Sequence, residues 1–223
     1  MKFGLGFPII KLYPPTVQPW EASATPADVV RIARTAEEVG FDYLGVSDHI
    51  FMSVEMAKLM GGRWCEGVTT ITFLAGATKR IQVYNSVLVL PYRDPVILAK
   101  QMATLDFLSG GRSILGIGIG HLEKEFEAIK ILWTEERPEF AERPRPFDVV
   151  MPAVFIQREE GTQRELGETR IPDSAEEWLE AVNANRDAGA TATSISLGHT
   201  KTVDHFIEKL HWFAEEVIAP SRG

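Results

Sequence analysis

Three short stretches carry residue types able to do chemistry. Ser47-Asp48-His49 sets a carboxylate beside an imidazole that titrates near neutrality, the pairing needed for a general acid or base and a group to orient it. Gly116-Ile-Gly-Ile-Gly120-His121 offers glycines over which a ligand can approach the backbone. It runs into Leu122-Glu-Lys-Glu-Phe126, whose opening helical turn would favour an anion. A dinucleotide fingerprint needs glycine where His121 stands, so the plainer reading, glycines serving only a tight turn, stays open. Pro91-Tyr92-Arg93 adds a cation. Other chemistries lack their spacing. The five histidines (49, 121, 199, 205 and 211) form no HExxH pattern, and there is neither a P-loop nor a GxSxG elbow.

All three stretches follow runs that read as strands. Ile81–Leu90 is too apolar for a strand with one wet face and suits one buried on both sides of a parallel sheet. Asp94 caps a following helix with Pro95 in its first turn. Val96, Leu98, Ala99, Met102, Leu105 and Leu108 form that helix's expected buried face, and Gly110 and Gly111 stop it. Ser113–Ile119 is then expected as a second buried strand, which completes a βαβ unit. Upstream, Phe3–Ile10 reads as the first strand. Thr25, Pro26 and Asp28 launch a helix to Val39, and Phe41–Val46 is the next strand.

Between Ile50 and Gly67 the periodicity dissolves into an insertion holding Arg63, Trp64 and Cys65, a candidate lid. A helix over Val68–Ala77 leads back to the central strand, and Leu122, Phe126, Ile129 and Trp133 predict another helix. Arg137–Pro146 is charged and proline-broken. Asp148–Ile156 reads as an edge or bulged strand around Pro152. Ser174 and Glu177 cap a helix ended by Gly189, Thr191–Leu197 is a short strand, and Val203–Val217 is the last amphipathic helix. Trp178, Trp212 and Phe213 fall at core spacing. Strand and helix thus alternate about six times, which means α/β with a parallel sheet, doubly wound or a (β/α) barrel. In both, ligands bind at the C-terminal ends of the strands, where the three chemical stretches stand.

The chain has 223 residues and a net charge of −8, which argues against nucleic acid or an anionic membrane as its main partner. Its single cysteine, Cys65, suits a reducing compartment, and no apolar run reaches the ~18 residues of a membrane span. A cytoplasmic protein is expected.

The runs Ala36–Phe51 (AEEVGFDYLGVSDHIF), Arg63–Ile81 (RWCEGVTTITFLAGATKRI) and Ser86–Ile129 closely resemble the bacterial luciferase-like family, in particular its coenzyme F420-dependent oxidoreductases. The resemblance covers nearly all of residues 1–129. It implies a single TIM (β/α)8-type barrel, with 130–147 as a joint and 148–223 as the last two β/α units. Pro146–Pro152 resembles the seventh strand and Asp187–Leu197 the eighth. The segment carrying the fifth and sixth strands, with its phosphate-binding loop, is missing from the pattern, so the barrel is expected to be incomplete, with about six units.

The resemblance also implies a reaction. Hydride would pass between F420, or alternatively FMN with monooxygenase-type chemistry, and a small organic substrate. His49 would give or take the proton, and Asp48 would orient it or hydrogen-bond the cofactor ring. Asn85, Ser86 and Val87 would back that ring through a bulge with a non-prolyl cis peptide at Ser86-Val87. Gly118, Ile119, Gly120 and His121 would form the wall near the ribityl and phosphate part. Arg93, His199 and the amides of residues 118–121 are the possible substitutes for the missing clamp. A homodimer is expected to cover the open edges. The alternative is a non-catalytic flavin- or ligand-binding member of the same fold.

Overall fold

The computed structural model of the protein describes residues 1–120, 150–152 and 171–222. The helix starts follow the local sequence closely. Helix α1 (Pro26–Glu38) opens with Thr25 accepting the Asp28 amide while the Asp28 carboxylate takes the Thr25 amide back, two otherwise orphaned donors satisfied at once. Helix α2 (Val54–Met60) starts at Ser53 and α3 (Gly67–Ala77) at Glu66, whose carboxylate accepts from the amides of Val68 and Thr69. Helix α4 (Pro95–Ser109) starts at Asp94 and ends at Gly110, whose φ of 71° places it in the left-handed region. Helices α5 (Ala175–Asp187) and α6 (Val203–Phe213) are capped by Ser174 and Thr202. After α6 the chain passes through a π turn (Ala214–Ile218) into α7 (Ala219–Arg222), so the last amphipathic helix is longer and less regular than its period predicts.

The strands are shorter than the apolar runs. β1 (Lys2–Gly6), β2 (Tyr43–Val46), β3 (Gln82–Asn85), β5 (Ser113–Ile114), β7 (Val150–Pro152) and β8 (Ala192–Ile195) form one sheet in the order β5-β3-β2-β1-β8-β7. Every pairing in it is parallel. β4 (Leu88–Val89) and β6 (Ile117–Gly118) pair in a second, two-stranded sheet. β7 lies at one edge, in keeping with a strand that ends on proline. The fold is α/β with a parallel sheet, the layered arrangement of the barrel class, and six of its strands lie in one sheet among the described residues.

One face of the sheet is covered by helices. Ile32, Ala33 and Ala36 of α1, Ile71 and Leu74 of α3, Leu98, Met102 and Leu105 of α4, and Trp178 and Val182 of α5 join Phe3, Leu5, Leu44 and Val83 in one apolar core. Burying each large side chain stabilises the fold by about 1.5–3 kcal/mol. Trp178 and Phe213 meet edge to face at 5.1 Å, so both are packing residues as their spacing suggests.

Five sequence expectations give way. Ile81–Leu90 is not one strand. Its ladder stops at Asn85, a cis peptide joins Ser86 to Val87, and β4 resumes in the second sheet. Ser113–Ile119 is likewise split and is not buried on both sides, since Ile117 and Ile119 are exposed. In α4, Val96, Ala99 and Leu108 face outward, because the sheet touches only the stripe of Leu98, Met102 and Leu105. The insertion expected to lack structure contains α2, and β1 ends at Gly6 in place of Ile10. The predicted helix from Leu122 to Trp133, the joint at 130–147 and His121 lie outside the described residues. Among those described, no helix is long and apolar enough to cross a membrane.

Candidate active site

The C-terminal ends of β1, β2, β3 and β8 converge on a cavity of about 220 Å³. Its lining is rich in hydroxyls: Ser47 beyond β2, Tyr84 and Ser86 at the end of β3, and Ser194 and Ser196 at the end of β8. Gly6 and Gly45 keep the strand ends slim beneath it. A Cβ on Gly45 would stand 2.8 Å from the Tyr84 ring, closer than real side chains pack. The Ser47 hydroxyl is buried with no hydrogen-bond partner. Burial pushes the Tyr84 phenol up, and the Ser194 and Ser86 hydroxyls draw it part of the way back without completing a hydrogen bond to it. Buried hydroxyls without partners are costly in an apolar surround and are suited to a ligand that supplies the missing groups.

Asp48 does not serve His49. Its side chain is fully buried, and both carboxylate oxygens accept from Arg93 Nη2, at 2.7 and 2.8 Å. Oδ1 also accepts the Gly67 amide at 3.0 Å, and Oδ2 the Val89 amide at 3.4 Å. Asp48 therefore ties the end of β2 to the start of α3, to β4 and to the Arg93 corner, an anchoring set of contacts in which His49 has no part. Arg93 Nη2 pairs with Glu66 Oε1 as well, at 2.7 Å, so Arg93 is committed to two carboxylates and is no substitute for a phosphate clamp. The burial of Glu66 acts to raise its pKa, but the Thr69 and Val68 amides and the Arg93 charge outweigh it and hold the carboxyl low.

His49 does not line the cavity, and its ring stands 4.4 Å from Trp64 in an edge-on contact. The same indole carries the Lys11 ammonium 5.4 Å above its centroid, and Lys11 lines the cavity. Trp64 thus joins the histidine to the cavity wall. Segment 10–12 is laced to segment 63–65 by bonds from Leu12 N to Arg63 O and from Cys65 N to Ile10 O. That lacing ties the end of the insertion to the segment that carries Lys11.

The remaining predicted residues divide. Ser86 reaches the cavity, and Ser86-Val87 is the cis bond. Asn85 is fully buried, with its amide packed against Gly67, where an added Cβ would come within 2.6 Å of Nδ2. Val87 turns outward and packs its Cγ2 over Gly118. Gly118, Ile119 and Gly120 lie away from the cavity along and beyond β6, with Ile119 exposed. His199 is exposed too. Lys11, Glu21, Tyr84 and Ser194 were not predicted. Lys11 and Glu21 sit in a proline-rich loop without periodicity, and Tyr84 and Ser194 read simply as strand residues.

Parts of this chain are similar to known proteins. The luciferase-like monooxygenase family model matches residues 9–145. An F420-dependent glucose-6-phosphate dehydrogenase of Amycolatopsis mediterranei is 37% identical over 117 residues, 52% of this chain and 34% of its own length. A dehydrogenase of the same description from Gordonia bronchialis is 32% identical over 142 residues, 63% of this chain and 39% of its own. The match therefore spans well under half of the curated relatives. Of solved structures, the monooxygenase RslO1 from Streptomyces bottropensis is 27% identical with a TM-score of 0.46, over 58% of this chain and 36% of that one. The coenzyme F420 dependent tetrahydromethanopterin reductase from Methanopyrus kandleri is 24% identical with a TM-score of 0.41, over 58% and 30%.

Proposed function

The chain belongs to the luciferase-like monooxygenase family, and from that premise we propose that it is an oxidoreductase working with coenzyme F420 on a small organic substrate. The observation that carries the reading is the cavity at the strand ends, lined with hydroxyls and with Lys11, whose Trp64 partner also packs against His49. Relatives that are F420-dependent dehydrogenases support the choice of cofactor. When bound, the deazaflavin supplies the hydride acceptor or donor. At about 220 Å³ the cavity is below the ~300–1,000 Å³ of sites that enclose whole drug-sized ligands, so it suits a ring or a small substrate, not an entire cofactor. Ser47, with its unpartnered hydroxyl, and the Ser86 end of the bulge are the groups that would meet polar edges of the ring.

The chain's own residues divide the remaining work. His49 gives or takes the substrate proton, since an imidazole titrates near neutrality and is held here against Trp64. Asp48 is a positioning residue: it locks the β2 end that carries His49, and it spends its charge on Arg93. Segment 50–65 shields the cavity from water.

Titration of F420 and of FMN into the purified protein, followed by fluorescence and visible absorption, tests the reading. Saturable F420 binding supports it. FMN binding alone moves the chemistry to the monooxygenase type. Binding of neither replaces it with a non-catalytic member of the fold.

A further inference from the structure

The charge arrangement at the cavity's outer wall has no use in the scheme above. Lys11 and Glu21 are the charged residues lining the cavity. Glu21 is only 5% exposed, and both its oxygens are committed: Oε2 accepts the Ile9 amide at 2.7 Å and Oε1 the Gln18 amide at 2.8 Å. Ile9 has a φ of 73°, a region a β-branched residue enters at a cost of about 1–3 kcal/mol. The buried carboxylate holds that turn, and the turn delivers Lys11, two residues on, to the cavity. Arg63 Nη2 donates to the Glu21 carbonyl at 2.6 Å, which brings a second cation to the same corner.

Lys11 itself forms no hydrogen bond or ion pair with any described residue, and its one specific contact is the face of Trp64. A half-buried ammonium with three donors and no acceptor among the described residues keeps those donors open to an arriving ligand. Its burial draws the ammonium pKa below the ordinary lysine value, and the Glu21 charge offsets this only in part. An arriving anion would restore what burial removed. The hydroxyls opposite are neutral and offer no charge of their own.

We propose that Lys11 is the specificity-determining cation of this cavity, receiving a carboxylate or phosphate group of the substrate beside His49. Glu21 is the positioning residue that sets the Ile9 turn. The inference rests on the oxidoreductase reading for the word substrate; the anion site itself stands on the geometry of Lys11.

The test uses cofactor-free wild-type protein with lysine labelled by ¹³C at Cε, the Lys11 signal being identified by its loss in Lys11→Arg. Inorganic phosphate and acetate are titrated in separately. The expected result is a saturable shift of the Lys11 signal with at least one probe and an upward move of its titration midpoint. Lys11→Met should weaken the same probe about tenfold or more, as befits a lost charge-assisted hydrogen bond, while Lys11→Arg keeps most of the affinity. F420 affinity should change little in Lys11→Met. A Lys11 signal indifferent to both anions overturns the proposal, and it does so in unmutated protein even if Lys11→Met misfolds. Loss of F420 affinity in Lys11→Met with normal folding would give the cation to a cofactor phosphate and overturn the substrate assignment. Failure of the oxidoreductase reading shows up elsewhere, as absent F420 and FMN binding with the Lys11 shift intact.

Discussion

Asp48 and His49 are adjacent in the chain and take opposite tasks. The carboxylate turns inward to Arg93, Gly67 and Val89, while the imidazole faces Trp64 at the cavity wall. His49→Ala should therefore lower turnover by about 10²–10⁴ while leaving F420 affinity within a few-fold, measured by steady-state kinetics and titration. Unchanged turnover would remove His49 from the mechanism. Arg93→Met should act on stability first. It leaves the Asp48 carboxylate buried without its cation, a loss of about 3–5 kcal/mol read as a lower urea midpoint. A variant as stable as the parent would mean that Asp48 is neutral or hydrated in the fold.

Helices and strands are tied at their ends by carboxylates that accept backbone amides. Glu37, near the end of α1, accepts the amides of Lys79, Arg80 and Ile81 just before β3. Burial acts to raise its pKa, but the three amides and the Arg80 charge prevail and hold it below the ordinary value of 4.5. A lowered folded-state pKa gives stability that is present above the unfolded value and lost as pH falls through the folded one. Glu66 has the same sign, so acid unfolding should begin as pH drops below about 4.5. Glu37→Gln should flatten that acid limb by a small amount, because Glu37 is only partly buried and solvent screens its charge. An acid limb identical to the parent's would assign the window to other carboxylates. Gly45→Ala tests the strand ends. Its Cβ would stand 2.8 Å from the Tyr84 ring, so it should destabilise by about 1–3 kcal/mol in thermal unfolding and weaken ligand binding by displacing that ring.

At the scale of the whole molecule, α4 presents Val96, Ile97, Phe107 and Leu108 outward, Phe107 at 83% exposure, and Ile117 and Ile119 are exposed as well. The described sheet ends at β5 and β7. Apolar surface on this scale is rare on monomers, and we propose a homodimer that covers it. Light scattering should give about twice the 24.8 kDa of one chain at micromolar concentration, and a monomer mass would refute the dimer. Cofactor affinity belongs to this scale as well. Arg93 is bound to Asp48 and Glu66, and Gly118–Gly120 lie away from the cavity. The segment that carries a phosphate clamp in the family pattern is missing, and Arg93 already serves two carboxylates. F420 should bind at about 1 μM or weaker by isothermal titration, since each missing charge-assisted bond costs roughly 1.5–3 kcal/mol.

The sequence by itself determined whatever depends on neighbours a few residues away. Thr25 with Asp28, Asp94 with Pro95, Ser174 with Glu177, and Gly110 mark helix ends through bonds that span three or four positions, and they fall where the chain alone puts them. Strand and helix alternation places Ser47–His49 at a strand end, and the likeness of Ser86–Ile129 to a known family located the Ser86-Val87 cis bond, although the apolar run alone puts Ser86 in mid-strand. Only the tertiary structure decided which partner each charge takes. Asp48 chooses Arg93, 45 residues on, over the histidine next to it, because burial rewards a carboxylate that collects a guanidinium and two backbone amides at once. It likewise decided that Val96 and Leu108 face outward, since a helical period marks an apolar stripe but not how wide a strip of it the sheet will cover. Lys11 and Glu21 were illegible for the same reason. Their roles come from the turn at Ile9 and from the crossing of residues 10–12 over 63–65, and no local pattern encodes a contact between segments some fifty residues apart.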